Sequence, residues 1–209
     1  MRPGPPEVAL ATCRPARWWW TTLALLCASL WQTPNFAAGT DEKALLALLH
    51  RPGHVLVMRH ADAPGIGDPA GMRLEDCSTQ RNLSADGRRQ AAAAGTLLRS
   101  AGIAQAEVHS SQWCRCLDTA RLLGLGKTRA LPLLNSFFSR AGEGKAQTGA
   151  LQGWLVSRKP GLPLILVTHQ VNITALTGIY PETGELILLQ LPDSATVRVL
   201  GRIRTGAGS

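Results

Sequence analysis

The sequence contains no dense run of lysine or arginine and no stretch where basic and aromatic residues interleave. Its formal charge of +8 is spread along 209 residues. A scattered positive balance favours anionic ligands but gives nucleic acid no footprint. Metal-ligand spacing is also missing. Cys114 and Cys116 stand as Cys-x-Cys with no second pair at zinc-finger distance, and no carboxylate-rich cluster replaces it. No metal site stands out, and no cofactor is expected. There is no internal repeat, and the apolar run from Trp18 to Trp31 is short for a membrane-spanning helix. What remains is ordinary for one globular domain, with 45% hydrophobic and 17% charged residues.

The N-terminal stretch reads as a leader. Arg14 and Arg17 precede the apolar run, Pro34 breaks it, and Ala37-Ala38-Gly39 follows. A basic start, a short apolar middle and a small-residue end describe a secretory signal peptide. Residues 1–38 are expected to be removed, leaving residues 39–209 as the mature domain in the periplasm or outside the cell, with no stable membrane insertion. Because Arg2, Arg14, Arg17 and Glu7 leave with the leader, the mature domain keeps an excess of basic residues. The cysteines left to it are Cys77, Cys114 and Cys116. In an oxidising compartment, the expectation is one disulfide from Cys77 to Cys114 or Cys116.

Strands and helices alternate along the mature chain. Asp41 to His50 reads as a helix. Val55 to Met58 is an apolar run bounded by Pro52 and Gly53 before it and by Pro64, Gly65 and Gly67 after it, which marks a buried strand. A long polar loop, Asp62 to Asn82, precedes a helix capped by Ser84. Glu107 to Ser110 is a short strand, and a helix follows from about Gln112 to Leu123. Gly142 to Gly149 reads as a loop or lid and Ala150 to Ser157 as a short helix. Leu162 to Thr168 is a second buried strand. Glu185 to Leu191 and Thr196 to Ile203, around Pro192-Asp193-Ser194, form a terminal hairpin. Such alternation implies an α/β domain built on a mostly parallel sheet.

Two apolar strands each end in a histidine: Met58-Arg59-His60 and Val167-Thr168-His169. A third leads into Ser110-Ser111 and on to Arg115. A parallel sheet gathers such ends on one edge, where ligands of open α/β sheets bind. Two arginines and two histidines suit phosphoryl transfer, which is mostly positioning and charge stabilisation. Arginine offers a permanently charged fork to phosphoryl oxygens. A neutral imidazole is a competent nucleophile, and a second histidine protonated near neutral pH can add a donor.

These residues carry a resemblance to the histidine phosphatase superfamily, the phosphoglycerate-mutase-like proteins. The matching segments are Arg59-His60, then Asn82-Leu83-Ser84-x-x-Gly87 with Gln90-Ala91, then Ser110-Ser111-x-x-x-Arg115-x-x-x-Thr119-Ala120, then Val167-Thr168-His169. The resemblance implies a three-layer α/β/α sandwich. It implies metal-independent hydrolysis of a small phosphorylated substrate, and exported members of the superfamily point to an envelope sugar phosphate. His60 would become phosphohistidine, with Arg59, Arg115 and His169 holding the phosphoryl oxygens. Apart from the resemblance, Gln170 and Asn172 stand beside His169 at the crevice rim and are expected, with Ser111, to meet the substrate.

The general acid departs from the family pattern. Gln170-Val171-Asn172 follows the second histidine where relatives place a carboxylate, and Leu133-Leu134-Asn135-Ser136 stands where others carry a glutamate. The remaining candidates are Asp62, Asp68, Glu75 and Asp76, with Asp62 nearest the nucleophile. A missing acid also suits a phosphohistidine or phosphoramidate phosphatase, or a non-catalytic protein that binds phosphate or glycan.

Overall fold

In a computed structural model, described for residues 38–191 and 197–205 together with Met1 and Gly4 (side chains of 38–41 excepted), apolar runs become strands and amphipathic runs become helices. The elements are α1 (Ala38–Ala47), β1 (His54–Arg59), α2 (Ala85–Ser100), β2 (Glu107–Ser110), α3 (Cys114–Leu122), β3 (Thr128–Ala130), α4 (Gly144–Val156), β4 (Leu164–Thr168), α5 (Gln170–Thr177), β5 (Leu186–Gln190) and β6 (Arg198–Ile203). Most of the expected leader, and the turn at Pro192-Asp193-Ser194, lie outside the described residues.

One six-stranded sheet runs in the order β3-β2-β4-β1-β5-β6. The pairs β2–β3, β2–β4 and β1–β4 are parallel, whereas β1–β5 and β5–β6 are antiparallel. The sheet is covered on both faces, which explains why β1 and β4 read as continuous apolar runs. Leu56, Met58, Ile165 and Val167 point to a core that includes Leu46 of α1, Leu98 of α2 and Cys116 of α3. Val55, Val57, Leu164 and Leu166 point the other way, to Leu151 and Leu155 of α4 and Ile173 and Leu176 of α5. Period-2 alternation in the strands thus builds two cores, and the three-layer sandwich follows.

Two features differ from the sequence expectation. The segment expected as a lid from Gly142 to Gly149 is helical from Gly144 onward. Its glycines and polar residues resemble a loop, but Leu151 and Leu155 hold the segment on the sheet. A Cβ on Gly144 would stand 2.8 Å from the Phe137 ring, so glycine permits the close seat. The second is β3, a three-residue edge strand of Thr128, Arg129 and Ala130 that has no apolar run to announce it.

Candidate active site

The register of the sheet brings the candidate residues together. Arg59 pairs with Thr168 across β1 and β4, so the next residues, His60 and His169, emerge side by side. His60 N–H donates to Thr168 O (2.9 Å) and Ser111 N–H to Val167 O (2.9 Å), holding the three strand ends level. The two imidazole centroids are 5.5 Å apart, nearly perpendicular. Arg115 lies in the first turn of α3 just beyond β2 and is buried with both histidines. A cavity of about 160 Å³ opens here, lined by Arg59, His60, Arg115, His169 and Gln170, among others.

The resemblance motifs prove to be positioning devices for the turn after His60. Ser84 caps α2 by accepting from Gly87 N–H (2.9 Å), and its hydroxyl donates to Asp62 Oδ2 (2.6 Å). Gln90 Oε1 accepts from Asp62 N–H (3.0 Å), while its amide donates to Thr183 O (2.8 Å). A Cβ on Gly87 would fall 2.0 Å from Asp62 O. Only glycine lets α2 approach the His60-Ala61-Asp62 backbone so closely. Thr119 closes the other side, accepting from Ala61 N–H (3.0 Å) and donating to Arg115 O (2.7 Å).

His60 has the chemistry of a nucleophile in its resting state. Its Nδ1 faces Ala61 O at 2.8 Å. A carbonyl can only accept, so Nδ1 carries the proton and Nε2 keeps its lone pair. Burial, followed by the Arg115 charge, holds the imidazole pKa down to about 3 against the raising effect of the Ala61 hydrogen bond. The ring is therefore neutral at ordinary pH.

His169 is neutral in the resting pocket as well. Burial and then the neighbouring His60 and Arg115 push its pKa well below the usual histidine range. Its Nε2 lies 2.8 Å from Ser111 Oγ, and Arg115 Nη2 approaches its Nδ1 at 3.4 Å. Since guanidinium only donates, Nδ1 accepts and Nε2–H donates to Ser111, whose hydroxyl passes to Asn135 Oδ1 (3.3 Å). Ser111 thus orients His169 from a fully buried position and does not line the cavity. A bound dianion would favour protonation of His169, which is how it would gain a second donor.

The carboxylates fall differently from the sequence expectation. Asp62 turns toward the cap of α2 and does not line the cavity, because Ser84 claims its oxygen. Asp68 does line it. Arg115 donates from Nη1 to Asp68 Oδ1 (2.5 Å) and from Nη2 to Oδ2 (3.4 Å), and Trp113 Nε1–H donates to Oδ2 (3.0 Å). Burial alone would raise the Asp68 pKa, but Arg115 and then Trp113 bring it below the carboxylate norm. Asp76 serves the local turn, accepting from Ser78 and Arg73 away from the cavity. Among the residues expected to meet substrate, Gln170 lines the cavity, whereas Asn172 is buried behind it and donates to Asn135 O (2.8 Å).

Arg81 is a third cation that the sequence reading missed. It lines the cavity from the end of the long loop, with Nε donating to Gly67 O (2.9 Å) and Nη1 to Ala63 O. Its one sequence signal is its place directly before Asn82-Leu83. The same loop is tied to α3 by the Cys77–Cys114 disulfide, with Cα atoms 5.7 Å apart. Cys116 is a buried free thiol whose pKa burial pushes up to about 12, which leaves it unreactive. Among the described residues no helix is long and apolar enough to cross a membrane.

Three cations and a neutral, tautomer-locked histidine thus line one cavity at the carboxyl ends of the parallel strands, a charge arrangement that suits a tetrahedral oxyanion. Residues 55–135 match the model of the histidine phosphatase superfamily (branch 1). The fold is shared with the protein histidine phosphatase SixA, solved with tungstate, at 18% identity and TM-score 0.52 over 73% of this chain and 97% of that one. It is shared with the product of the open reading frame Rv3214 from Mycobacterium tuberculosis (16% identity, TM-score 0.55, 72% and 97%). The putative phosphohistidine phosphatase SixA from Agrobacterium tumefaciens is similar too (17%, 0.53, 74% and 99%). No curated protein matches the sequence. Residues 55–135 are thus similar to the histidine phosphatase superfamily, and the fold is the one these solved structures share.

Proposed function

We propose that the protein is a metal-independent phosphatase that hydrolyses small phosphate esters through a phosphohistidine on His60. The observation that carries this reading is the Nδ1–H to Ala61 O bond, which leaves the Nε2 lone pair of His60 free in a cavity that Arg59, Arg81 and Arg115 also line. Arg59, Arg81 and Arg115 hold the phosphoryl oxygens and stabilise the charge of the transition state. His60 Nε2 attacks phosphorus and the ester oxygen leaves with a proton. Water then attacks the phosphohistidine and releases inorganic phosphate. An aryl phosphate tests the reading. The mature protein should turn it over, and His60→Ala should not. Near-normal turnover by His60→Ala would mean direct attack by water.

A second reading, a phosphatase of phosphohistidine or another phosphoramidate, draws on one observation. In the resting pocket Asp62 is engaged by Ser84 and Asp68 by Arg115. A phosphoramidate needs little help in leaving, so an enzyme without a free acid suits it. Two of the similar structures are named as phosphatases of that kind. Faster turnover of a phosphoramidate than of an alkyl phosphate would favour it.

The Cys77–Cys114 disulfide supports an exported protein, since such bonds persist in oxidising compartments. We propose that the first 38 residues act as the signal. N-terminal sequencing of the protein recovered from a periplasmic fraction should begin near Gly39, and recovery only from the reducing cytosol would overturn export.

A further inference from the structure

We propose that Asp68 is a built-in anion which the substrate phosphoryl group must displace from Arg115, and which on displacement becomes the acid for the leaving oxygen. The inference rests on the phosphatase reading above, and it concerns how substrate enters the pocket.

Three observations carry it. The first is occupancy. Both terminal nitrogens of Arg115 face the Asp68 carboxylate, so the fork expected to grip a phosphoryl group already grips an anion. Arg115 Nε meanwhile has no partner although it is buried. A carboxylate and a phosphoryl edge make the same bidentate demand on guanidinium, and one fork cannot meet both. The second is the latch. Trp113 Nε1–H holds Oδ2 from the residue before α3, giving Asp68 a defined resting place. The third is room to move. A neighbouring cavity of about 300 Å³ shares Asp68, Ser136 and Phe138 with the phosphoryl pocket and continues to Met72 and Trp113. Asp68 is thus the wall between the two spaces, on a loop segment bounded by Gly67 and Gly71, both at positive φ. No basic side chain lines the second space, so it suits an uncharged alcohol.

The charged groups around Asp68 set the sign of its response. Arg115 comes from α3 and Arg81 from the loop, while His60 and His169 face the same cavity from β1 and β4. At rest the two arginines favour the carboxylate. A bound phosphoryl dianion takes over their charge and adds its own repulsion, and both changes favour the protonated acid. The step then balances. The bond from His60 Nε2 to phosphorus forms, the bond from phosphorus to the ester oxygen breaks, and the Asp68 proton goes to that oxygen. In the second half a water oxygen attacks phosphorus, the bond to Nε2 breaks, and Asp68 takes the water proton back.

The test uses the mature protein with inorganic phosphate as probe, read by calorimetry, and separately the kcat ratio for an uncharged alkyl phosphate against an aryl phosphate. Asp68→Asn should bind phosphate about tenfold more tightly, since the internal competitor is gone. Its alkyl-to-aryl kcat ratio should fall about a hundredfold, the scale of a lost general acid. Trp113→Phe keeps the carboxylate but removes the latch, so it should also bind phosphate more tightly while retaining the ratio. Phosphate affinity unchanged or weakened in Asp68→Asn would overturn the displacement. Tightening in Asp68→Asn but not in Trp113→Phe would assign the gain to lost charge and overturn it as well. An unchanged ratio in Asp68→Asn would remove the acid role. Phosphate binding is read without turnover, so failure of the phosphatase reading would show separately, as an absence of turnover by the unsubstituted protein.

Discussion

Gly87→Ala is a substitution on which helix propensity and the active-site geometry disagree in sign. Gly87 lies in the first turn of α2 and has no left-handed φ, so an alanine can adopt its backbone. Propensity alone expects a gain of roughly 0.5–1 kcal/mol from replacing a helical glycine. The new methyl would stand 2.0 Å from Asp62 O, 2.9 Å from its carbonyl carbon and 3.1 Å from its nitrogen. These are backbone atoms two residues beyond His60, held by Ser84 and Gln90, and cannot swing aside as a side chain end could. The overpacking cost is about 1–3 kcal/mol, which outweighs propensity. Relief requires α2 and the turn to separate, which moves His60, and misplacement of a reacting atom by about 1 Å costs about a hundredfold in rate. Gly153→Ala on α4 is the matched control, because nothing lies within 4 Å of its added Cβ. It should stabilise. The assay is urea unfolding of both variants beside aryl phosphate turnover. A Gly87→Ala protein as stable and active as Gly153→Ala would refute the claim that the motif glycine exists for this contact.

Other outcomes follow from the same geometry. Arg81→Ala should weaken substrate binding and slow turnover, with a loss of up to about 2–4 kcal/mol in kcat/KM, comparable to removal of one preorganised oxyanion donor. Reducing the Cys77–Cys114 bond should lower stability by about 4 kcal/mol for a loop of this length in the chain-entropy model, read as a shift in the urea midpoint. His60 is held neutral when folded but binds a proton near pH 6.5 when unfolded, so the unfolded state takes up more protons as pH falls. Its contribution should therefore cost about 2 kcal/mol of stability between pH 7 and pH 5. His60→Gln should flatten that limb of the stability profile.

The parts of the fold that could be read from the sequence are those fixed by one local pattern. β1 and β4 are buried on both faces, so their apolar runs stand out, and their terminal histidines become neighbours through parallel register. Ser84 was legible as a cap because capping is local. Of α4 only the second half, from Ala150, was legible; Gly144 and Gly149 obscure the first half of a helix held mainly by Leu151 and Leu155 against the sheet. Arg81 escaped notice, and Asp68 stood only as one of four candidate acids, for a different reason. Both sit in a loop without periodicity, and only tertiary closure aims them at His60. Asp62 looked closer to the chemistry because sequence distance hides which way a side chain turns at the end of a strand.

The most direct measurement is rapid quenching of the protein with a radiolabelled aryl phosphate, followed by peptide mapping of the label. A covalent mechanism expects acid-labile, alkali-stable label on the peptide carrying His60, formed within one turnover and absent from His60→Ala. Steady release of phosphate with no label on His60 at any quench time would contradict it.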